Sequence, residues 1–140
     1  MDIKQNSYVA IIDDDESLCR SFSRLLRMVG FQPVTYASAE AFLEDAKRPQ
    51  FDCLLLDIQM GGMSGIELRH QLSAGNDQTP VIFITAHDSP DIKAEAVASG
   101  CAGYFAKTDS GAAILDRLRS IVDGTCSENS NFHQANHENQ

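Results

Sequence analysis

Five short apolar runs alternate along the chain with longer segments in which apolar residues recur every three or four positions. The short runs are typical of β-strands and the longer spacing is typical of amphipathic helices. The predicted strands are residues 8–12, 32–37, 53–56, 80–85 and 102–106. The runs are continuously apolar, which favours strands buried on both faces. Five strand–helix units in succession therefore predict an α/β protein, with a parallel sheet between two layers of helices.

Capping residues mark the ends of the predicted helices. Asp15 is a candidate N-cap of the first helix, and serine precedes each of the next three. The second helix is predicted to start after Ser38 and to continue through Lys47. Glycine can adopt the left-handed conformation that ends many helices, so Gly30 and Gly100 are predicted stop positions.

The chain has 140 residues, which fits one domain. We expect a short N-terminal lead at residues 1–7, a domain at residues 8–123 and a polar, flexible tail at residues 124–140. His133 and His137 in this tail have a spacing that would suit a metal on a helix, but solvated histidines are favoured in so polar a segment.

Composition narrows the functional classes. The net charge of −9 argues against direct nucleic-acid binding, which needs a basic surface. No apolar run approaches the roughly 20 residues of a membrane span, and the N-terminus lacks a signal-peptide pattern, so we expect a cytoplasmic protein without a membrane partner. The cysteines are widely separated, which favours reduced thiols over a metal site or disulfides; they are Cys19, Cys53, Cys101 and Cys126.

Polar side chains follow the predicted strands where each strand ends. Ligands of open α/β sheets bind outside the carboxyl ends of the strands. With a strand order of 2-1-3-4-5, the residues after strands one and three would converge. The candidates are Asp13, Asp14 and Asp15 after strand one, Asp57 after strand three, Thr85 and His87 at strand four, and Lys107 after strand five.

Three close carboxylates repel one another unless a cation joins them. Oxygen ligands with room for water suit Mg²⁺. A carboxylate can also act as a nucleophile and form an aspartyl phosphate, a reaction that needs chiefly positioning and charge neutralisation. We therefore expect Asp57 to face a metal ion and an incoming phosphoryl group, with Lys107 as a second positive charge and Thr85 as a hydrogen-bond donor.

Four fragments, IIDDDES, LLLDIQMGGMSGIEL, PVIFITAH and AGYFAK, together resemble the receiver domain of two-component response regulators. The likeness extends over about residues 8–122. It implies the flavodoxin-like (βα)5 receiver fold, with a doubly wound parallel sheet in the order 2-1-3-4-5. In detail the fragments are most similar to receivers that precede DNA-binding helix-turn-helix output domains.

The resemblance implies a role for each matching residue at the site. Asp57 matches the phosphoacceptor, and Lys107 matches the lysine that binds the phosphoryl group. Mg²⁺ would be held by Asp14, by Asp57 and by the backbone carbonyl of Gln59, with Asp13 acting through water.

The resemblance also implies a switch and its partners. Thr85 and Tyr104 match the pair that moves on phosphorylation, although Tyr104 alone fits a fixed packing residue equally well. Gln59 and His87 occupy positions that tune hydrolysis of the phosphoryl group, although His87 also fits an exposed loop histidine. The donor would be a phosphohistidine on a histidine kinase or histidine phosphotransfer protein. Phosphorylation would reshape the face of the fourth helix, fifth strand and fifth helix, which would bind a downstream protein or a second copy of the chain.

Two positions depart from the family pattern. Thr108 follows Lys107 where the family usually has proline after a cis bond. A cis bond without proline costs about 3 kcal/mol, which favours a trans bond here. Gly61 stands where the family usually has proline, so the loop after Asp57 should be looser. Neither change removes a catalytic group.

Several functions remain open. We expect a stand-alone receiver that controls a protein partner or a relay, and not an enzyme beyond its own phosphorylation and dephosphorylation. Alternatives are the receiver portion of a longer DNA-binding transcription regulator and a receiver used only for docking. A phosphatase with an aspartate nucleophile would need D-x-D-x-T after strand one, and here Glu16 follows the three aspartates. A flavodoxin-like cofactor binder is disfavoured because those aspartates would repel phosphate.

Overall fold

The computed structural model describes residues 7–124. The predicted lead up to residue 6 and the predicted tail from residue 125, with Cys126, His133 and His137, lie outside the described residues.

The five predicted strands form one parallel sheet. Their order is β2-β1-β3-β4-β5, as predicted. Each predicted strand differs from the observed one by at most one residue at one end, which is the usual uncertainty of element boundaries. The strands are β1 (Tyr8–Ile12), β2 (Gln32–Tyr36), β3 (Cys53–Asp57), β4 (Val81–Thr85) and β5 (Gly103–Ala106).

A helix follows each strand, and a side chain caps the start of each helix. The predicted caps Asp15, Ser38, Ser64 and Ser89 each accept a hydrogen bond from a backbone N–H in the first turn, and Ser110 does the same for the last helix. The helices are α1 (Glu16–Met28), α2 (Ala39–Glu44), α3 (Gly65–Ala74), α4 (Pro90–Ala98) and α5 (Gly111–Asp123). The predicted stops Gly30 and Gly100 have φ angles of 98° and 85°, the left-handed region that favours glycine.

Helix α2 is shorter than predicted, because it ends at Glu44 and does not reach Lys47. Asp45 leaves the helical conformation with a φ of −80° and a ψ of 94°. Its carboxylate accepts hydrogen bonds from the Tyr36 hydroxyl at 2.7 Å and from the Lys47 N–H at 3.1 Å. These two hydrogen bonds hold Asp45 and Lys47 outside the helix, so α2 does not continue for another turn.

Helices cover both faces of the sheet. Phe42 of α2, Leu68 of α3 and Ala96 of α4 belong to the core on one face. Leu26 of α1 and Leu118 of α5 belong to the core on the other. All five residues of β3 and of β4 are buried, which explains the apolar runs that precede Asp57 and Thr85. Helix α4 is the least embedded, because Ala96 is its one buried residue.

Within residues 7–124, none of the helices combines the length and apolar character needed to cross a bilayer.

Candidate functional site

Three carboxylates meet where β1 and β3 end. β1 and β3 are neighbouring parallel strands with Ile12 opposite Leu56, so the next residues, Asp13 and Asp57, leave the sheet side by side. The carboxylate groups of Asp13, Asp14 and Asp57 each offer an oxygen, and these oxygens lie within 4.8 Å of one another. Asp13 and Asp57 are each only 3% exposed, whereas Asp14 is exposed to solvent. The predicted convergence of the strand-end aspartates is therefore confirmed.

Lys107 reaches this cluster from the end of β5. Its Nζ lies 3.0 Å from Asp13 Oδ2 and 3.4 Å from Asp57 Oδ2. Its backbone N–H donates to the carbonyl of Thr85 at 2.8 Å, which continues the pairing of β4 and β5 beyond the sheet. Burial opposes the charge on Lys107, but its contacts with Asp13 and Asp57 outweigh burial and raise the pKa of the ammonium group. Lys107 is therefore a cation shared between two buried carboxylates.

Lys107 does not fully offset the effects of burial and of Asp13 on the Asp57 carboxylate. Burial and the nearby charge of Asp13 raise the pKa of Asp57 from 3.8 to about 6, while Lys107 acts in the opposite direction. A buried carboxylate in this position gains from an additional cation. The donor set is all oxygen and includes the exposed Asp14, so a hard cation could bind here and keep water molecules in its shell. These residues fit Mg²⁺.

The turn after β1 holds Asp13 in place. Its Oδ1 accepts a hydrogen bond from the Asp15 N–H at 2.9 Å, and its carbonyl lies 3.4 Å from the Cys19 Sγ. Burial and the neighbouring aspartates raise the pKa of Cys19 to about 11, so the thiol stays protonated. Sequence analysis missed this role of Cys19 as support for the turn. Cys19, Cys53 and Cys101 are free and buried, as expected of reduced core thiols.

Thr85 lies at the end of β4 and is fully buried. Its Oγ1 accepts a hydrogen bond from the His87 N–H at 3.0 Å, so the hydroxyl oxygen is bound to the backbone of the following loop. The His87 side chain is exposed. The side chain of Gln59 is exposed as well, and its N–H lies 3.4 Å from Asp57 Oδ1. Gln59 thus lies directly beside Asp57, whereas His87 contacts Thr85 through its backbone.

Tyr104 lies on β5, paired with Phe83 of β4. Its hydroxyl donates to Asp88 Oδ1 at 2.9 Å, and Lys93 Nζ lies 5.7 Å from the centre of its ring. Burial and the hydrogen bond to Asp88 raise the pKa of Tyr104, so the phenol stays neutral. Sequence analysis did not identify Asp88 and Lys93, because nothing in their local pattern indicates which side chain they approach.

The loops after β3 and β5 contain the two departures from the family pattern. Every described peptide bond is trans, including that between Lys107 and Thr108. Gly61 has open space around it, with no atom within 4 Å of a β-carbon built at its position. Lys107 reaches Asp13 and Asp57 with Thr108 in the proline position.

Comparison with known proteins agrees with this geometry. The family model described as the response regulator receiver domain matches residues 9–119. The response regulator protein TodT of Pseudomonas putida is 32% identical over 116 residues, which cover 83% of this chain and 51% of TodT. The transcriptional regulatory protein FixJ of Azorhizobium caulinodans is 32% identical over 114 residues, covering 81% of this chain and 54% of FixJ. The chain thus spans about half the length of these curated relatives.

A solved structure leads to the same family. The chemotaxis protein CheY4 of Vibrio cholerae superimposes with a TM-score of 0.74 at 26% identity, covering 82% of this chain and 98% of the CheY4 chain. The sheet order, the aspartates at the strand ends and the family model all agree, and the chain belongs to the response regulator receiver domain family.

Proposed function

We propose that the chain accepts a phosphoryl group on Asp57 from a phosphohistidine of a histidine kinase or histidine phosphotransfer protein. One observation carries this proposal: Asp13, Asp14 and Asp57 meet within 4.8 Å, and Lys107 bridges Asp13 and Asp57. A carboxylate oxygen of Asp57 would bond to phosphorus as the bond from phosphorus to the donor's imidazole nitrogen breaks. The product is an aspartyl phosphate on Asp57 and a free histidine on the donor.

Asp14, Asp57 and the backbone carbonyl of Gln59 would hold Mg²⁺, with Asp13 acting through a water molecule. Held by these groups, Mg²⁺ would supply positive charge that offsets the repulsion between the carboxylates and the phosphoryl oxygens. Lys107 already contacts Asp57, and its ammonium group would bind a phosphoryl oxygen on that residue.

The same phosphoryl group would drive a switch. One of its oxygens would accept a hydrogen bond from the Thr85 hydroxyl, whose oxygen now accepts from the His87 N–H. Inward movement of Thr85 frees space beside β4, and Tyr104 would leave Asp88 to occupy it. The change is a population shift between two packings, biased by new charge-assisted hydrogen bonds. It would reshape the face formed by α4, β5 and α5, which would contact a protein partner or a second phosphorylated copy.

Hydrolysis would reset the switch. Gln59 and His87 border the position from which water attacks the phosphoryl group, and their identities would tune the lifetime of the aspartyl phosphate. The chain would act in the cytoplasm, where histidine kinases present their phosphohistidines.

Two outputs follow from this switch. In the first, the receiver acts alone and controls a protein partner or a relay by binding. In the second, it is the receiver portion of a DNA-binding transcription regulator. The second is favoured by the relatives, which include a transcriptional regulatory protein and are about twice as long as the matched region. The mass of the native protein in its source cells distinguishes the two outputs, because an attached output domain would roughly double it.

Intact mass spectrometry tests the phosphoacceptor. The protein is incubated with Mg²⁺ and acetyl phosphate, beside Asp57→Asn and beside Asp116→Asn, which makes the same change at an exposed position of α5. We expect one added phosphoryl group in the wild type and in Asp116→Asn, none in Asp57→Asn, and none when EDTA is present.

An unchanged wild-type mass needs a second measurement, because fast hydrolysis would hide the adduct. Beryllofluoride mimics a bound phosphoryl group and does not turn over. Absence of both the adduct and beryllofluoride binding would leave a receiver fold used only for docking. Sustained hydrolysis of a phosphate ester would instead indicate a phosphatase.

A further inference from the structure

The loop between β3 and α3, residues 58–64, is fixed at its base. The Gly65 N–H donates to the Ile58 carbonyl at 2.9 Å and closes the loop. Gly65 packs directly on the backbone of Asp57, where a β-carbon would overlap the Asp57 carbonyl oxygen. The loop thus begins directly after Asp57 and ends against its backbone. It also contains Gln59, whose N–H lies 3.4 Å from Asp57 Oδ1.

A side chain from α2 holds the outer part of this loop. Glu40 Oε2 accepts a hydrogen bond from the Met63 N–H at 2.8 Å, across 23 residues of sequence. The bond from Met63 lowers the pKa of Glu40, because it favours the ionised carboxylate. It is a charge-assisted bond, the stronger class of hydrogen bond.

Gly62 makes room for the Glu40 carboxylate. A β-carbon at Gly62 would lie 2.5 Å from Glu40 Oε2, and the three heavy atoms nearest to it all belong to Glu40. Glycine therefore leaves the space that the Glu40 carboxylate occupies, and an added methyl group would displace the end of that side chain. Without the bond at Met63, the consecutive glycines Gly61 and Gly62 would leave the middle of the loop free to vary.

We propose that Glu40 is a positioning residue, whose carboxylate holds the loop of residues 58–64 in the conformation that serves phosphorylation of Asp57. The inference rests on the proposed function for its consequence, because the loop contains the Gln59 carbonyl assigned there to Mg²⁺. Glu40 itself touches neither the metal site nor the phosphoryl group; it acts through Met63. Its removal should loosen the loop and lower the affinity for Mg²⁺.

Amide hydrogen exchange tests the hydrogen bond from Met63 to Glu40 in the absence of metal and phosphoryl donor. We expect the Met63 amide to exchange about three- to tenfold faster in Glu40→Ala, the effect of losing one hydrogen bond. Glu40→Gln keeps an acceptor oxygen and should recover part of the protection. Glu44→Gln removes the same charge from the same helix one turn further along and should leave Met63 unchanged. Equal exchange at Met63 in the wild type and in Glu40→Ala would overturn the proposal.

A second substitution checks that the contact itself is responsible. Gly62→Ala should displace the Glu40 carboxylate and speed exchange at Met63 about as much as Glu40→Ala does. In a Glu40→Ala background the added methyl meets no carboxylate, so Gly62→Ala should then have little further effect. Fully additive effects of the two substitutions would contradict the inference.

A magnesium titration tests whether the hydrogen bond from Met63 to Glu40 affects binding of Mg²⁺ at the site. We expect Glu40→Ala to raise the half-saturating Mg²⁺ concentration about two- to fivefold, with the urea midpoint nearly unchanged and with partial rescue by Glu40→Gln. If Glu40→Ala sped exchange at Met63 but left the affinity for Mg²⁺ unchanged, the hydrogen bond would have no role at the site. That outcome would refute the positioning role. If the wild type bound no Mg²⁺ and accepted no phosphoryl group, the proposed function would fail, and the positioning role would fail with it. The exchange data would still show whether Glu40 protects the Met63 amide.

Discussion

Replacing Asp57 by asparagine should stabilise the metal-free protein at neutral pH, although it removes the proposed phosphoacceptor. Burial and the charge of Asp13 raise the pKa of Asp57 from 3.8 to about 6, against the opposing effect of Lys107. A carboxyl group with a higher pKa in the folded chain than in the unfolded chain binds its proton more tightly when folded. The contribution of Asp57 to stability is therefore greatest below about pH 4 and is lost as the pH rises through about 6.

The size of the effect follows from that difference in pKa. At pH above both values, the rise from 3.8 to about 6 corresponds to about 3 kcal/mol of lost stability. Solvent reaches the site past the exposed Asp14, and screening reduces the effect, so we expect about 1–2 kcal/mol. Asparagine has a similar volume and carries no charge, so the variant should recover this amount, and Lys107 keeps its contact with Asp13.

Urea denaturation in EDTA between about pH 4 and about pH 8 measures the difference, with Asp116→Asn as the control for an exposed aspartate. The advantage of Asp57→Asn should be largest above about pH 6.5 and nearly absent at about pH 4. Adding Mg²⁺ should then stabilise the wild type more than the variant, because binding to the native state adds to its stability. A stability difference that did not vary with pH, or a wild type more stable than the variant in EDTA at neutral pH, would refute the electrostatic reasoning.

Three further substitutions test the packing and capping that support the site, each by urea denaturation. Gly65→Ala should destabilise the protein by about 2 kcal/mol or more, because the added methyl group would overlap the last carbonyl of β3. Gly75→Ala should have little effect, because its β-carbon would have no neighbour closer than 3.6 Å. Equal effects of the two substitutions would contradict the close packing at Gly65. Leu56→Ala should cost about 2–5 kcal/mol because Leu56 is fully buried, whereas Met28→Ala, at a side chain 75% exposed, should stay within about 0.5 kcal/mol. Ser64→Ala removes half of the capping box of α3 and should cost about 1 kcal/mol, and no loss would mean that the cap contributes nothing.

The sequence predicted the sheet and the convergence of its carboxylates because both depend on regular geometry. A continuously apolar run must be buried on both faces, and parallel strands bring their carboxyl ends to one edge, which places Asp57 beside Asp13. Contacts between side chains from separate elements could not be predicted in this way. The bond from Met63 to Glu40 depends on how α2 packs beside the loop, and the early end of α2 depends on Asp45 meeting Tyr36. The roles assigned to the site residues remain predictions.

Helix α4 has a consequence for how receivers of this kind diversify. Ala96 is its one buried side chain and Ile92 packs half-buried against the same core, whereas most of its other positions are exposed. Substitutions at exposed positions usually change stability by less than about 0.5 kcal/mol. The outer surface of α4 can therefore accumulate new side chains while the core, the strand-end aspartates and Lys107 stay as they are. After gene duplication, one copy could therefore acquire a new binding partner through α4 with little change in its free energy of unfolding.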